Sequence, residues 1–219
     1  MAEPISSASP ALSAEALEEI SRRTLQHYAQ NVVSFWEGTR HHDVSQNYDA
    51  FLSALGGGGP FTLLDFGCGP GRDLRYFRSL GHEAVGLDGC EQFVALARAY
   101  ADCEVLHQDF LKLSLPEGRF DGIFANATLF HVPRQELSRV LGCLRRSLKP
   151  EGVLFCSNPR GADEEQWSGE RYGSFHTWER WRGIVEAVGF EALHHYYRPP
   201  GLPRAQQPWL ASVWRKRPA

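Results

Sequence analysis

Hydrophobic positions near the start of the chain repeat with the period of a helix. Apolar residues recur every three or four positions over roughly 14–31, where Ser13 is placed to cap the first turn, and again from Tyr48 to Leu55. A polar segment, 36–43, separates these two stretches, and the run Gly56–Gly59 follows the second. The pattern therefore predicts two amphipathic helices ahead of the rest of the chain.

From residue 61 onward, short apolar runs alternate with helical patterns. Such alternation is typical of βαβ units, and it predicts an α/β fold with a doubly wound, mostly parallel sheet. We expect one domain over 13–219, and a disordered tail over the Ser-, Pro- and Ala-rich residues 1–12. The predicted strands are 61–66, 84–88, 104–109, 120–125, 153–156, 190–197 and 209–215, and the predicted helices between them end at Leu80 or cover 91–101, 133–148 and 177–188.

Composition narrows the possible partners. The 219 residues carry a formal net charge of -3, which gives no broad electrostatic reason to bind nucleic acid or an anionic membrane. No apolar run approaches the ~20 residues of a membrane span, and the N-terminus lacks the pattern of a signal peptide. The 5 cysteines are scattered without paired metal-ligand spacing, which favours a reducing, cytoplasmic setting.

The strongest local signal is the glycine-rich sequence Leu64-Asp65-Phe66-Gly67-Cys68-Gly69-Pro70-Gly71. It follows a buried-type strand and opens a helix, at the sheet edge where open α/β sheets bind ligands. Glycines at this point let backbone amides approach a ligand closely. A carboxylate two residues before the first glycine can reach the ammonium group of a bound amino acid. This arrangement alone is weakly specific.

Two further carboxylates make the signal more specific. Asp88 ends the second predicted strand, where it can accept hydrogen bonds from a ribose diol, and Asp109-Phe110 ends the third, where it can bind an adenine amino group and flank the ring. Ammonium, ribose and adenine sites in this order predict S-adenosyl-L-methionine (SAM) as the cofactor. A nicotinamide cofactor is disfavoured, because Arg72 occupies the position where its fingerprint requires a small third residue.

With these motifs the chain resembles class I SAM-dependent methyltransferases over roughly 28–215. The resemblance implies a seven-stranded, Rossmann-like sheet with an antiparallel last strand, an N-terminal helical lid, S-adenosyl-L-homocysteine as product, and no metal. The segments 120–126 and 130–133 resemble the fourth strand and the loop beside the methionine part of SAM. The predicted cofactor residues are Tyr28, Trp36, Asp65, Gly67, Gly69, Arg72, Asp88, Gly89, Asp109, Phe110, Asn126 and Ala127.

Three segments rich in polar and aromatic residues bear on the acceptor: 35–47, 156–173 and 196–209. Aromatic walls with a few polar groups suit a small, polar, partly planar substrate. These segments resemble the C-terminal methyltransferase domain of ovothiol synthases (5-histidylcysteine sulfoxide synthases) and its stand-alone counterparts. The matching stretches are 35–47, 64–74, 124–137, 155–161 and 195–214, of which the last is the most discriminating. The fused enzymes also carry an iron-dependent synthase region, which this sequence lacks.

The resemblance implies methyl transfer from SAM to the side-chain Nπ of 5-thiohistidine, which gives ovothiol A. It also implies functional coupling to an iron-dependent sulfoxide synthase and a lyase. Two alternatives stay open from the residues alone. One is a methyltransferase for another small acceptor, such as a different imidazole, an amine or a thiol, and the other is a SAM-binding protein without transfer activity.

Methylation of an imidazole nitrogen requires a free lone pair, so a ring proton must be removed or directed to the other nitrogen. We predict Asp43 and His131 as catalytic residues; the alternatives are a helix cap or ion pair for Asp43 and a structural hydrogen bond for His131. A metal site at 41–43 is disfavoured, since methyl transfer needs none. The predicted substrate residues are His42, Asn47, Phe130, Asn158, Arg160, Tyr172, Tyr197 and Trp209.

Overall fold

The computed structural model describes residues 11–218. The tail predicted over 1–12 therefore lies mostly outside the described residues. Both backbone polar groups of Leu12 are hydrogen-bonded to the Gln135 side chain. The Leu12 N donates to Gln135 Oε1 at 2.7 Å, and Gln135 Nε2 donates to the Leu12 carbonyl at 3.1 Å. Leu12, the last residue of the predicted tail, is therefore held in place by these two hydrogen bonds.

Three helices precede the sheet: α1 (Ala14–Gln30), α2 (Val32–Thr39) and α3 (Ser45–Leu55). The first begins as predicted, because Ser13 Oγ accepts a hydrogen bond from Ala16 N at 3.2 Å. The sequence missed α2, which has no buried residue and hence no clear apolar face. Its aromatic side chains pack against residues of another part of the chain: Phe35 contacts Phe93, and Trp36 contacts Tyr100.

Seven strands form one sheet in the order β3-β2-β1-β4-β5-β9-β8. Strands β1 to β5 are mutually parallel, and β9 lies antiparallel between β5 and β8, which confirms the predicted class I arrangement. The strands of this sheet are β1 (Thr62–Phe66), β2 (Glu83–Asp88), β3 (Val105–His107), β4 (Phe120–Asn126), β5 (Leu148–Pro159), β8 (Phe190–Arg198) and β9 (Trp209–Lys216).

Helices cover both faces of the sheet. On one face α3, α4 and α5 bury a cluster that includes Phe51, Phe77 and Phe124. On the other face α6 and α7 pack around Trp181 and Trp214. The helices that follow strands are α4 (Arg72–Ser79), α5 (Glu91–Ala101), α6 (Arg134–Ser147) and α7 (Trp178–Ala187).

A separate hairpin, β6 (Glu164–Ser168) and β7 (Arg171–Phe175), lies between β5 and α7, where no strand was predicted. Four of the five residues of β6 are exposed, so the hairpin leaves no apolar alternation to detect. It lies at the carboxyl edge of the parallel strands, where Tyr172 N donates to Thr24 Oγ1 of α1 at 3.2 Å. The hairpin and α1 therefore border the same edge as the glycine-rich loop.

Within residues 11–218, no helix combines the length and the apolar character needed to span a bilayer.

Candidate active site

The glycine-rich loop leaves β1 in a conformation that only glycine adopts easily. Gly67, Gly69 and Gly71 have φ angles of 77°, 52° and 95°. A Cβ on Gly67 would lie 2.3 Å from Thr128 Cγ2, so the loop after β4 packs directly against the loop after β1. A Cβ on Gly71 would lie 2.9 Å from Ala97 Cα, so α5 makes a similarly close approach. Both contacts fix the loop that would face the cofactor.

Asp65 is a buried carboxylate with an unsatisfied oxygen. The residue is 2% exposed, and its Oδ2 has no hydrogen-bond partner among the described residues. Burial and the nearby Asp73 carboxylate raise the pKa of Asp65 well above its usual range. A buried carboxylate of this kind is stabilised by a cation, and the ammonium group of an amino acid supplies one.

Asp88 ends β2 beside the same loop. Its Oδ2 accepts from Gly69 N at 2.9 Å, and its Oδ1 accepts from Cys90 N at 2.8 Å. Burial raises its pKa to about 6. Each carboxylate oxygen keeps a lone pair, so this residue retains acceptors for a vicinal diol.

Asp109 and Phe110 follow β3, as predicted for an adenine site. Asp109 Oδ1 accepts from Leu111 N at 2.8 Å, while its Oδ2 accepts from Ser21 Oγ of α1 at 2.6 Å. Phe110 packs against Phe66, with ring centroids 4.5 Å apart. Helix α1 thus closes over the predicted adenine position and already binds its carboxylate.

The cavity enclosed there is small. It has a volume of ≈ 30 Å³ and is lined by Leu25 of α1 together with Gly89, Asp109 and Phe110. The Leu25 side chain lies 2.8 Å from where a Cβ on Gly89 would be, so this glycine admits the helix. A larger groove of ≈ 600 Å³ lies along the outer side of α1 and reaches the same Asp109. Helix α1 therefore lines both the cavity and the groove at the predicted adenine position.

Tyr28 of α1 and His131 face one another. The Tyr28 hydroxyl lies 2.8 Å from His131 Nε2, and His131 Nδ1 lies 2.7 Å from the carbonyl of Tyr172. The carbonyl only accepts, so Nδ1 carries the proton and Nε2 accepts from Tyr28. Burial lowers the pKa of His131 to about 4, which keeps the ring neutral. Both nitrogens are engaged, which corresponds to the structural hydrogen bond considered for His131.

Arg72 forms a buried ion pair. Its Nε and its second guanidinium nitrogen bind the two oxygens of Asp73 at 2.6 and 3.0 Å. Its remaining nitrogen donates to the carbonyl of Thr39 at 2.9 Å, which ties the end of α2 to the glycine-rich loop. In this ion pair Asp73 is buried and Arg72 is partly buried. The predicted contact from Arg72 to the SAM carboxylate stays a prediction.

A chain of polar side chains leads from this ion pair toward the acceptor segments. Tyr48 donates to Asp73 Oδ1 at 2.5 Å, and Asn126 Nδ2 lies 3.4 Å from Asp73 Oδ2. Asn47 donates to Asn126 Oδ1 at 3.0 Å, and Tyr196 donates to Asn47 Oδ1 at 2.9 Å. Asn47 is fully buried, and both of its side-chain hydrogen bonds join distant parts of the chain.

Sequence reasoning did not assign Tyr48, Asp73 or Tyr196 to the site. Tyr48 was predicted only as part of an apolar helix face. Tyr196 lies in the discriminating C-terminal stretch, which was the one available signal. Asn126 ends β4 as predicted, and the next residue, Ala127, has a φ of 60° and donates its N to the Ser157 carbonyl at 2.7 Å.

Asp43 and His42 are exposed rather than directed into this network. Asp43 Oδ1 accepts from both Ser45 N and Ser45 Oγ, at 2.9 and 2.7 Å. The Ser45 bonds also lower the pKa of Asp43. These bonds hold Asp43 against the first residue of α3, although Val44 and not Asp43 is the N-cap residue of this helix. Its backbone carbonyl accepts from Arg198 at 2.6 Å, so its loop is held against the C-terminal segment.

The remaining predicted substrate residues line a small cavity, order a loop or belong to the hairpin. Phe130 and Asn158 line a closed cavity beside β7, and Asn158 Oδ1 is buried without a hydrogen-bond partner among the described residues. Arg160 instead orders a loop, because it donates to the carbonyls of Gln207 and Arg204 at 2.8 and 2.7 Å.

Three further aromatic residues lie near that loop or in the hairpin: Tyr197, Trp209 and Tyr172. Tyr197 lies under the guanidinium of Arg204, and Trp209 opens β9 opposite Pro159. Tyr172 donates its hydroxyl to Glu165 at 2.8 Å within the hairpin. No cluster of three His, Cys, Asp or Glu residues suited to a metal occurs between residues 11 and 218.

Residues 64–156 match the family described as a methyltransferase domain. The chain has the fold of class I SAM-dependent methyltransferases, and the matched residues make up less than half of it. It is 30% identical over 154 residues to a sterol 24-C-methyltransferase of Gibberella zeae, covering 61% of this chain and 40% of that protein. It is 31% identical over 110 residues to the malonyl-acyl-carrier-protein O-methyltransferase of Pseudescherichia vulneris, covering 50% and 43%. The chain thus spans less than half the length of these curated relatives.

Solved structures agree on the fold. The 1,6-didemethyltoxoflavin-N1-methyltransferase of Burkholderia thailandensis superimposes with a TM-score of 0.77 at 20% identity, covering 95% of this chain and 93% of that one. A SAM-dependent methyltransferase of Leishmania major gives a TM-score of 0.75 at 17% identity, covering 89% and 82%. At these identities the similarity establishes the arrangement of the methyltransferase sheet.

The residues of this domain fit the cofactor. The unsatisfied oxygen of Asp65 suits the ammonium group, Asp88 suits the ribose diol, and Asp109 with Phe110 suits the adenine. The loop from Gly67 to Gly71 brings backbone close to this row of carboxylates. The ammonium group, the ribose diol and the adenine of SAM therefore each have a matching group on the chain.

Replacing Asp65 by asparagine is expected to weaken SAM binding by about 10- to 100-fold, the range for losing a hydrogen bond to a charged group. The melting temperature without SAM should stay level or rise, because the variant no longer buries a carboxylate whose charged form is disfavoured by burial. Calorimetric titration and thermal unfolding measure the two effects. A variant that binds SAM as tightly as the wild type would show that Asp65 does not contact the cofactor.

Proposed function

We propose that this chain transfers a methyl group from SAM to the side-chain Nπ of 5-thiohistidine and so forms ovothiol A. The observation that carries the proposal is the meeting of the three segments in which the sequence resembles ovothiol-forming methyltransferases. Segment 35–47 contacts segment 195–214 through the Asn47–Tyr196 and Asp43–Arg198 hydrogen bonds. Arg160, from the third segment, binds the backbone of the same C-terminal stretch.

The name of a structural neighbour points to the same acceptor chemistry. The Burkholderia protein with the TM-score of 0.77 is an N1-methyltransferase, and its bound 1,6-didemethyltoxoflavin is the molecule it is named for. This supports a ring nitrogen as the methyl acceptor here. By contrast, the curated relatives are named for a sterol carbon and a carboxyl oxygen, so the sequence matches alone do not favour one acceptor.

SAM supplies an electrophilic methyl group on its sulfonium sulfur. The chain's part is to bind, align and exclude water. Asp65 would bind the ammonium group of the cofactor, and Asp88 would bind its ribose diol. Phe35 packs over Gly69 of the glycine-rich loop, and Tyr28 packs against Phe35. Alignment of the nitrogen with the methyl carbon supplies most of the acceleration in such a transfer.

The polar network fits the task of orienting an imidazole. Asn47 and Asn126 present amides at the end of β4, and their own orientation is fixed by Asp73 and Tyr196. Amides fixed in this way can distinguish a ring nitrogen that carries a proton from one that does not. We propose that these two residues select the acceptor tautomer in which Nπ has a free lone pair.

His131 serves this proposal as a positioning residue. Its Nε2 accepts from the Tyr28 hydroxyl, and its neutral state leaves no charge near the sulfonium. The catalytic roles predicted for Asp43 and His131 stay predictions. For each of them, the hydrogen bonds described above would first have to break.

The test is incubation of the purified chain with SAM and 5-thiohistidine, with histidine as the control acceptor. We expect a mass gain of one methyl group on 5-thiohistidine only, and NMR of the product should place that methyl on Nπ. Methylation at sulfur, or of histidine at an equal rate, would contradict the proposal. Transfer to neither, with SAM still bound, would favour another acceptor or a SAM-binding protein without transfer activity.

A further inference from the structure

A serine, a histidine and an aspartate lie in a row at the β6–β7 hairpin. Ser174 belongs to β7, His176 directly follows β7, and Asp163 directly precedes β6. Ser174 Oγ lies 2.8 Å from His176 Nε2. His176 Nδ1 lies 3.6 Å from Asp163 Oδ1, slightly beyond a hydrogen bond, and has no other partner among the described residues. Ser174 and His176 are buried, whereas Asp163 is half-buried and reaches toward solvent. The three residues therefore connect the protein interior to its surface.

These residues border the acceptor side of the site. Ser174 and His176 line a cavity of ≈ 10 Å³ together with Phe130 and Asn158, the two predicted substrate residues that lie nearest the ends of β4 and β5. Asn158 Oδ1 is buried in this region without a partner among the described residues. A volume of this size holds about one polar atom, so only the edge of an acceptor ring could enter it.

We propose that Ser174, His176 and Asp163 form a proton relay that takes the ring proton of the methyl acceptor. The proposal rests on the function proposed above in that the acceptor is an imidazole. Asp163 is the positioning residue: its carboxylate favours the His176 tautomer with the proton on Nδ1. Nε2 then has a lone pair that accepts from the Ser174 hydroxyl.

In the proposed reaction, methyl transfer to one ring nitrogen is coupled to proton loss from the other. The lone pair of the attacking ring nitrogen forms the new bond to the methyl carbon, and the carbon–sulfur bond breaks with its electron pair staying on sulfur. The other ring nitrogen loses its proton to Ser174 Oγ, and the Ser174 proton passes to His176 Nε2. The acceptor stays neutral, and the positive charge lost by the sulfonium appears on His176 beside Asp163.

Several charged groups surround His176 and set the pH at which the relay works. The Asp163 and Glu165 carboxylates favour the protonated ring, whereas burial and the Arg134 guanidinium disfavour it, and the balance lowers the pKa of His176. Asp163 itself is held by Thr177, whose N donates to its Oδ1 at 3.0 Å. At neutral pH His176 is therefore free to accept a proton.

The test combines pH profiles with NMR of the full chain. For the wild type, kcat should fall as pH decreases through the pKa of His176. His176→Gln should lower kcat by about 10- to 100-fold and remove this acid limb. Asp163→Asn should move the limb to lower pH, since a carboxylate that raises the pKa is lost. Ser174→Ala should reduce kcat, and Ser174→Thr, which keeps the hydroxyl, should restore it.

The matched control is His194→Gln, because His194 is exposed on β8 and outside the site. It should leave kcat and the acid limb unchanged. Imidazole NMR of the chain without SAM gives a second readout: Asp163→Asn should lower the pKa of His176, whose signal is assigned by its loss in His176→Gln. An unchanged pKa in Asp163→Asn, or an acid limb that persists in His176→Gln with kcat within twofold of wild type, would overturn the relay.

These results separate the two proposals. If the wild-type chain methylates another imidazole or an amine but not 5-thiohistidine, the proposed substrate is wrong and the pH profiles are measured with that acceptor. If 5-thiohistidine is methylated and the His176→Gln profile matches the wild type, the proposed function holds and the relay is wrong. The NMR titration needs no acceptor and decides the Asp163–His176 coupling in either case.

Discussion

Replacing Gly67 by alanine is expected to destabilise the protein by roughly 2–5 kcal/mol and to weaken SAM binding by several orders of magnitude. A non-glycine residue at φ 77° costs roughly 1–2 kcal/mol. The new Cβ would also lie 2.3 Å from Thr128 Cγ2 and 2.5 Å from its hydroxyl, which adds roughly 1–3 kcal/mol of overpacking. The displaced loop is the one that faces the cofactor.

Gly118→Ala is the matched control for this variant. Gly118 has a φ of 60°, but a Cβ there would meet nothing within 4 Å. It should therefore show the backbone cost alone and bind SAM normally. Removing the Thr128 side chain with Thr128→Ala in the Gly67→Ala background should recover part of the stability. Urea unfolding and calorimetric titration with SAM measure both effects, and equal losses in Gly67→Ala and Gly118→Ala would show that the contact with Thr128 does not matter.

The sequence predicted the parts of the fold that have a strong period. The α1 helix, the parallel strands and the order of the motifs follow from apolar spacing and from glycines after β1, and the structure confirms them. Helix α2 and the β6–β7 hairpin escaped prediction because their order comes from tertiary contacts. Phe35 and Trp36 are held by α5, and Tyr172 is held by α1.

The candidate site divides in a similar way. Asp65, Asp88 and Asp109 could be predicted because each lies within two residues of the carboxyl end of a strand, and parallel strands bring such positions to one edge. The acceptor side could not be predicted to the same degree. Asn47 and Tyr196 are 149 positions apart, and Asn158 and His176 meet only through the hairpin. Contacts of this kind have no local signature, so a resemblance suggested the segments but not their hydrogen bonds.

Helix α1 forms part of the adenine side of the candidate site. Ser21 donates to Asp109, and Leu25 lies against Gly89, so α1 belongs to the candidate binding site and not only to the lid. The same helix buries Ile20 against the rest of the protein. A cofactor bound at Asp109 would share these contacts, and we therefore expect cofactor binding and the packing of α1 to be energetically coupled.

Asp88→Asn is expected to remove a pH dependence of stability and to weaken SAM binding at pH 7 by roughly two orders of magnitude. The carboxylate has a pKa of about 6 in the folded chain against an ordinary value of 3.8. Between these two values the folded state holds its proton more tightly than the unfolded state does. Stability in the absence of SAM therefore falls as pH rises through this window, by roughly 3 kcal/mol in all.

An asparagine does not titrate, so the slope between pH 4 and pH 6 should flatten in the variant. The comparison uses the slope and not the level, because the amide group cannot accept from both Gly69 N and Cys90 N as the carboxylate does, and one unsatisfied donor lowers stability at every pH. Asp49→Asn, a change at an exposed position of α3, is the matched control and should keep the wild-type slope. Urea unfolding across this pH range measures it. A slope that persists in Asp88→Asn would assign the titration to Asp65, the other buried carboxylate of the site with a raised pKa.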